Sequence, residues 1–98
     1  MLLKTEYANY QVETKKAFYG NGNLAVILEN SDGFQIGKLT VNLGLKLDDG
    51  YAYLDTNNLP EGEVFVKEYG LAEFTGKYGR SGYCEYPLYR FNMEKLGE

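Results

Sequence analysis

The densest grouping of chemistry-bearing residues spans positions 76–82, where Gly76, Gly79 and Gly82 alternate with Lys77, Arg80 and Ser81. Glycines let consecutive backbone N–H groups converge on an anion, and the neighbouring cations and hydroxyl add charge and a donor, so the stretch is a candidate phosphate cradle. It lacks the GxxxxGK[ST] order of a P-loop, and a strand rather than a helix is expected after it. A tight, solvated connection accounts for the same residues. Asp55, Thr56, Asn57 and Asn58 offer oxygen ligands, but the spacing and terminal Glu of a calcium loop are missing, and Asx turns with a helix N-cap explain them better. Cys84 is the single cysteine and the chain has no histidine. That removes the Ser-His and Cys-His nucleophile pairs and every His-containing metal site, leaving Cys84 as an inert small hydrophobe. No catalytic residue, cofactor or metal is expected, and the chain is read as a non-enzyme.

Binding chemistry is better represented. Four of the ten tyrosines, Tyr78, Tyr83, Tyr86 and Tyr89, crowd one short stretch. Exposed tyrosines bury a large rigid area while keeping the hydroxyl hydrogen-bonded, which suits an interface, although antiparallel sheets also use Tyr for cross-strand packing. Carboxylates at Asp55, Glu61, Glu63, Glu68 and Glu73 form an acidic set that either solvates a helix or mimics a row of phosphates. The partner surface expected from these two groups comprises Tyr83, Tyr86, Tyr89, Glu61, Glu63 and Glu68. The anion-binding alternative uses Lys77, Arg80, Ser81, Gly79 and Gly82.

These residues need a scaffold, and 98 residues suffice for one domain, residues 1–98, with one core. Positions 16–19 and 24–28 flank Gly20-Asn21-Gly22-Asn23, a hairpin pattern, and the second run is apolar on both parities, as a central strand should be. A turn at Asn30-Ser31-Asp32-Gly33 leads into a strand over 34–43, whose apolar parity changes at Gly37, a candidate bulge. A turn at Asp48-Asp49-Gly50 precedes a short strand over 51–54. Asn58 and Glu61 have the spacing of a capping box, and a helix over 59–69 follows, with an apolar stripe of Val64, Phe65, Tyr69 and Leu71, an interior Gly62, and Gly70 as its left-handed end. Residues 83–91 are β-prone, and Pro87 argues for an edge strand. Residues 5–13, irregularly patterned around Tyr7, Tyr10 and Val12, fit a strand or a short helix, the strand better. The fold class expected is α+β, a single antiparallel sheet of about four to six strands with one α-helix packed on it.

Several strings carry a resemblance: Gly22-Asn23-Leu24-Ala25-Val26, Leu39-Thr40-Val41-Asn42-Leu43, Asp55-Thr56-Asn57-Asn58, and above all Ser81-Gly82-Tyr83-Cys84-Glu85-Tyr86-Pro87-Leu88-Tyr89-Arg90-Phe91-Asn92. Over residues 20–92 the chain resembles a family of small uncharacterised proteins from bacterial conjugative elements, plasmids and phages. The resemblance implies a mobile-element origin and a β-rich fold, and transfers no activity.

Charge narrows the partner. Ten basic and fourteen acidic residues give −4, with most of the excess acid in the second half, which disfavours direct nucleic-acid binding. No apolar run is long enough for a membrane span, Met1-Leu2-Leu3-Lys4 does not begin a signal peptide, and a lone cysteine suits a reducing compartment, so a cytoplasmic protein without membrane contact is expected. The expected function is protein binding: a module of phage or mobile-element origin that binds a host protein, such as a defence or nucleic-acid-processing complex, in the manner of an anti-CRISPR or anti-restriction inhibitor. The alternative is capture of a phosphate-bearing nucleotide by residues 76–82. An edge strand can pair with its own copy or be protected from doing so, and the oligomeric state stays open at this level.

Overall fold

The structure, a computed structural model, describes residues 1–97. Its strands are β1 (Leu2–Lys4), β2 (Asn9–Gln11), β3 (Glu13–Phe18), β4 (Leu24–Glu29), β5 (Gln35–Lys38), β6 (Thr40–Val41), β7 (Tyr51–Leu54), β8 (Ala72–Ser81) and β9 (Cys84–Phe91). One α-helix, α1 (Gly62–Glu68), and a 3-10 turn, Met93–Lys95, complete the order. The strands form three antiparallel sheets rather than the single sheet expected: β1-β2, β3-β4-β5 and β6-β7-β9-β8.

The division arises where the expected strand over 34–43 changes sheets. Lys38 still pairs with Ile27 of β4, whereas Thr40 pairs with Leu54 of β7. At the corner Leu39 N–H donates to the Val26 carbonyl at 2.9 Å, and Val26 N–H donates to the Thr40 hydroxyl oxygen at 3.1 Å instead of to a backbone carbonyl. Thr40 is fully buried, so its hydroxyl replaces a ladder bond that the bend removes. The register of β4 and β5 slips at Leu28/Glu29, leaving Ile36 and Gly37 opposite Leu28, and the bulge expected at Gly37 is therefore present. A bulge bends and twists its strand, which turns the chain toward the second sheet. Residues 5–13, read as one strand, divide into β2 and the start of β3, while β1 went unrecognised. The Thr5 side chain makes the tight turn before β2, accepting from Ala8 N–H and donating to the Ala8 carbonyl.

The core lies between the two larger sheets and α1. Val26 and Leu28 of β4, Leu39 at the corner, Leu54 of β7, Tyr89 of β9 and Val66 of α1 are essentially inaccessible. The two-sided burial expected of residues 24–28 is present, and β4 is central in its sheet.

The helix is shorter than its expected range. No capping box forms: Asn58 donates both backbone N–H and side-chain amide to the Asp55 carboxylate three residues back, and α1 starts only at Gly62 with no side-chain cap. The buried stripe is Phe65 and Val66, not Val64, which is exposed. Its end matches expectation. Gly70 has φ +62°, Leu71 N–H reaches the Val66 carbonyl at 2.9 Å and Gly70 N–H the Lys67 carbonyl at 3.2 Å, the paired bonds of a Schellman motif. A Cβ on Gly62 would meet only Leu39 and Leu59 methyls at 3.6 and 4.0 Å, ordinary contact distances. Gly62→Ala is therefore expected to stabilise the protein by about 0.4–1 kcal/mol, chiefly by restricting the unfolded chain, and urea denaturation checks it.

Residues 76–81 are not a connection. They belong to β8, and the hairpin turn is the two-residue pair Gly82-Tyr83, with Ser81 opposite Cys84 and Gly82 at φ +60°. β9 is likewise not an edge strand but lies between β7 and β8. Pro87 is accommodated because β7 pairs no farther than Leu88, and the Leu54 carbonyl, next in register, accepts instead from Thr56 N–H at 2.9 Å. β8 is the exposed edge. Its register breaks between Phe74 and Tyr78 around Gly76 (φ +86°), where the Thr75 hydroxyl, donating to the Leu88 carbonyl at 2.9 Å, stands in for the interrupted ladder.

Candidate partner-binding surface

The β8-β9 hairpin separates the tyrosines into two groups. Phe74 and Tyr89 are opposite one another, and Tyr78 follows two ladder positions on, so all three side chains share one face of the sheet. On that face Tyr89 lies under α1 and is 0% exposed, whereas Phe74 and Tyr78, at the rim, are 41% and 58% exposed. Their rings are joined: Phe74 to Tyr89 at 5.5 Å between centroids and Phe74 to Tyr78 at 5.4 Å edge-on. Tyr83, in the turn, is entirely solvent-exposed. Tyr86 is only 8% exposed.

This placement corrects part of the expected partner surface. Tyr86 and Tyr89 are unavailable as anchors because both are packed inside the domain, while Tyr83 remains at the surface. Glu63 is bound internally, accepting the Tyr89 hydroxyl proton in a 2.5 Å hydrogen bond that fastens α1 to the sheet. Glu61 is half-buried, and its Oε2 is enclosed with no hydrogen-bond partner among the described residues. It borders a cleft of about 140 Å³ shared with Leu2, Lys4, Val64, Phe65 and the exposed Glu68. Of the wider acidic set, Asp55 holds Asn58 and Glu73 faces Arg90 at 3.4 Å, so the carboxylates do not form one free row.

The residues of the anion-binding alternative lie in or beside β8. Gly79 pairs with Tyr86, and the Arg80 guanidinium meets Glu85 at 2.7 Å. Gly79 has a packing role that the sequence conceals: a Cβ there would come within 2.6 Å of the Tyr53 ring and 2.8 Å of a Leu43 methyl. Lys77 and Ser81 are exposed, and Gly82 makes the turn. Strand pairing engages alternate N–H groups with β9, so they do not converge on a common point as a phosphate nest requires.

Two phenols are perturbed. Burial, then the hydrogen bond to Glu63, hold the Tyr89 phenol well above its ordinary value near 10, and burial, then the contact with Cys84, raise Tyr86. The sign follows from linkage. In the unfolded chain both phenols ionise near pH 10, and in the folded chain they resist, so their contribution is complete below pH 10 and is lost as pH rises through the folded-state values. Unfolding free energy is expected to fall steadily above pH 10, and Tyr89→Phe should flatten that decline in a pH series of denaturant melts.

Sequence reasoning does not reach Phe74, because the glycines at 76, 79 and 82 have the composition of a loop, whereas Gly76 is a bulge within a strand. It also misses Asn23. This buried amide donates to the Leu45 carbonyl at 2.7 Å and to Asn42 at 3.2 Å and accepts from Leu47 N–H at 2.8 Å, tying the 42–47 segment to the hairpin before β4. Among the described residues no group of three or more His, Cys, Asp or Glu is arranged to hold a metal ion, and no helix is long and apolar enough to cross a membrane.

No curated protein and no solved structure matches the chain. A family model described as a domain of unknown function, DUF4313, matches residues 11–98, which takes in everything from the end of β2 onward. The chain belongs to the DUF4313 family.

Proposed function

We propose that the protein is a non-enzymatic binding module whose partner-facing surface is the aromatic rim of the β8-β9 hairpin, formed by Phe74, Tyr78 and Tyr83. The observation that carries this reading is the division of the aromatics: Tyr89 fills the core, while Phe74, whose ring is tilted against it, and then Tyr78 continue the same row outward into solvent. Aromatic side chains with few rotatable bonds lose little entropy on docking and bury a large area, which is why they dominate interface hot spots. The row is also rigidly mounted, since Tyr89 is locked by Glu63. The partner class is a host protein. The likeness to proteins of conjugative elements, plasmids and phages makes a bacterial defence or nucleic-acid-processing complex the proposed target, and inhibition of the anti-CRISPR or anti-restriction kind the proposed outcome. A cytoplasmic site of action accompanies that target.

Affinity capture from bacterial lysate tests the reading, comparing the wild-type chain with a Phe74→Ser, Tyr78→Ser, Tyr83→Ser variant and with a Tyr7→Ser, Leu45→Ser control that alters exposed residues elsewhere. Capture of one complex in stoichiometric amount by wild type and control, but not by the rim variant, is the expected result. Equal capture by all three would refute the surface.

A further inference from the structure

We propose that β8 pairs antiparallel with β8 of a second copy of this chain, about a two-fold axis that passes between the Gly79 residues of the two copies. The β8-β9 register fixes which backbone groups of β8 are left open. Ser81 and Cys84 flank a two-residue turn and so form a hydrogen-bonded pair, which makes Gly79-Tyr86 the next such pair and leaves Arg80 and Tyr78 in non-hydrogen-bonded positions. The N–H and C=O groups of Tyr78 and Arg80 therefore point away from β9, toward the open edge. Pro87, opposite Tyr78, agrees with this assignment, because a residue without N–H fits there at no cost to the β8 ladder. No backbone hydrogen bond reaches the outer edge of β8 from other described residues.

Centring a second copy on Gly79 makes the edge self-complementary. Tyr78 falls opposite the partner's Arg80 and Arg80 opposite the partner's Tyr78, which gives four backbone hydrogen bonds and two symmetric Arg-Tyr contacts on one face. Glu85 already holds each Arg80 guanidinium on that face. Lys77 falls opposite the partner's Ser81, so no like charges meet directly, and the axis passes between two glycines, where backbones approach closely. Edge cations ordinarily discourage such pairing, but here each has an uncharged counterpart. The bulge at Gly76 ends the ladder and limits the pairing to a short, specific segment. The pairing does not depend on the partner-binding reading. It sets the partner's Arg80 beside each Tyr78, leaves Phe74 and Tyr83 uncovered, and brings the two aromatic rims onto one face of a continuous sheet.

Sedimentation of the full chain between about 10 µM and 1 mM, the range of a weak interface, should show the mass rising from 11.1 kDa toward twice that value. Arg80→Pro removes an outward N–H without touching the β8-β9 ladder, and at least a tenfold weaker association with an unchanged melt is expected. The register is read separately in a Cys84→Ser background, by mixing Tyr78→Cys and Arg80→Cys chains under mild oxidation. Opposed positions lie about 5.5 Å apart between Cα atoms, within disulfide reach, whereas like positions are offset by two residues, so the mixed disulfide should predominate. A chain that stays monomeric throughout, or a dimer that ignores Arg80→Pro and forms no mixed disulfide, overturns the proposal. The monomeric outcome would leave the edge open to a strand from another protein.

Discussion

Tyr89→Ala is expected to cost about 3–5 kcal/mol of folding stability, while Tyr83→Ala changes stability by less than about 0.5 kcal/mol. The two tyrosines lie six positions apart on one hairpin, and only their environment separates them. Tyr89 is fully enclosed, touches Phe74, and delivers its hydroxyl to Glu63 of α1. Truncation leaves a ring-sized void and strands a half-buried carboxylate, and both effects destabilise. Tyr83 has no such surroundings, so its side chain is free for a partner. Equilibrium unfolding of the two variants measures the contrast directly. A small loss for Tyr89→Ala would mean that α1 is not fastened to the sheet in this way, and the rigid mounting of the aromatic rim would fail with it. Tyr86, buried in the same strand, is expected to behave like Tyr89 and is unsuitable as a binding-surface probe.

Asn23→Ala is expected to cost about 2–3 kcal/mol, roughly 10–20 °C in Tm for a domain of this size. Its amide satisfies the Leu45 carbonyl, the Leu47 N–H and Asn42 together, and Asn42 in turn holds Gly44 N–H and Asn21. A methyl group provides none of these bonds, and the 42–47 segment loses its attachment. Because Leu43 and Tyr53 pack over Gly79, disorder there should spread to the underside of the β8-β9 hairpin. Thermal melts followed by circular dichroism give the stability loss. Hydrogen exchange should show faster opening over residues 42–47 than over β4, and uniform protection across both would contradict the clamp.

The contrast between these residues also shows how far the sequence could be read. Local chemistry was legible: the Gly20–Asn23 turn, the two-sided apolar run of β4, the bulge at Gly37 and the left-handed Gly70 each follow from side chains adjacent in the chain. What escaped were features made by distant partners. The main sheet expected divides between β5 and β6 because Thr40, an unremarkable strand residue by propensity, supplies a hydroxyl to Val26 and lets the chain turn a corner, while β1 and β2 pair apart from both halves. Residues 76–81 looked like loop because glycine usually breaks a strand, yet Gly79 is required under Tyr53 and Gly76 at a bulge. The candidate surface was legible as a tyrosine cluster. Which of its members face solvent depended on a β8 strand that the glycines concealed, and on a helix whose Glu63 reaches across to Tyr89.

Whether the hairpin rim binds a protein is decided by placing a photo-crosslinking amino acid at position 83 and, in a second chain, at the likewise exposed position 7, then irradiating each in bacterial lysate. One dominant crosslinked protein is expected from position 83 and none in common from position 7. The same crosslinks from both positions, or none from position 83, would contradict protein binding at the rim.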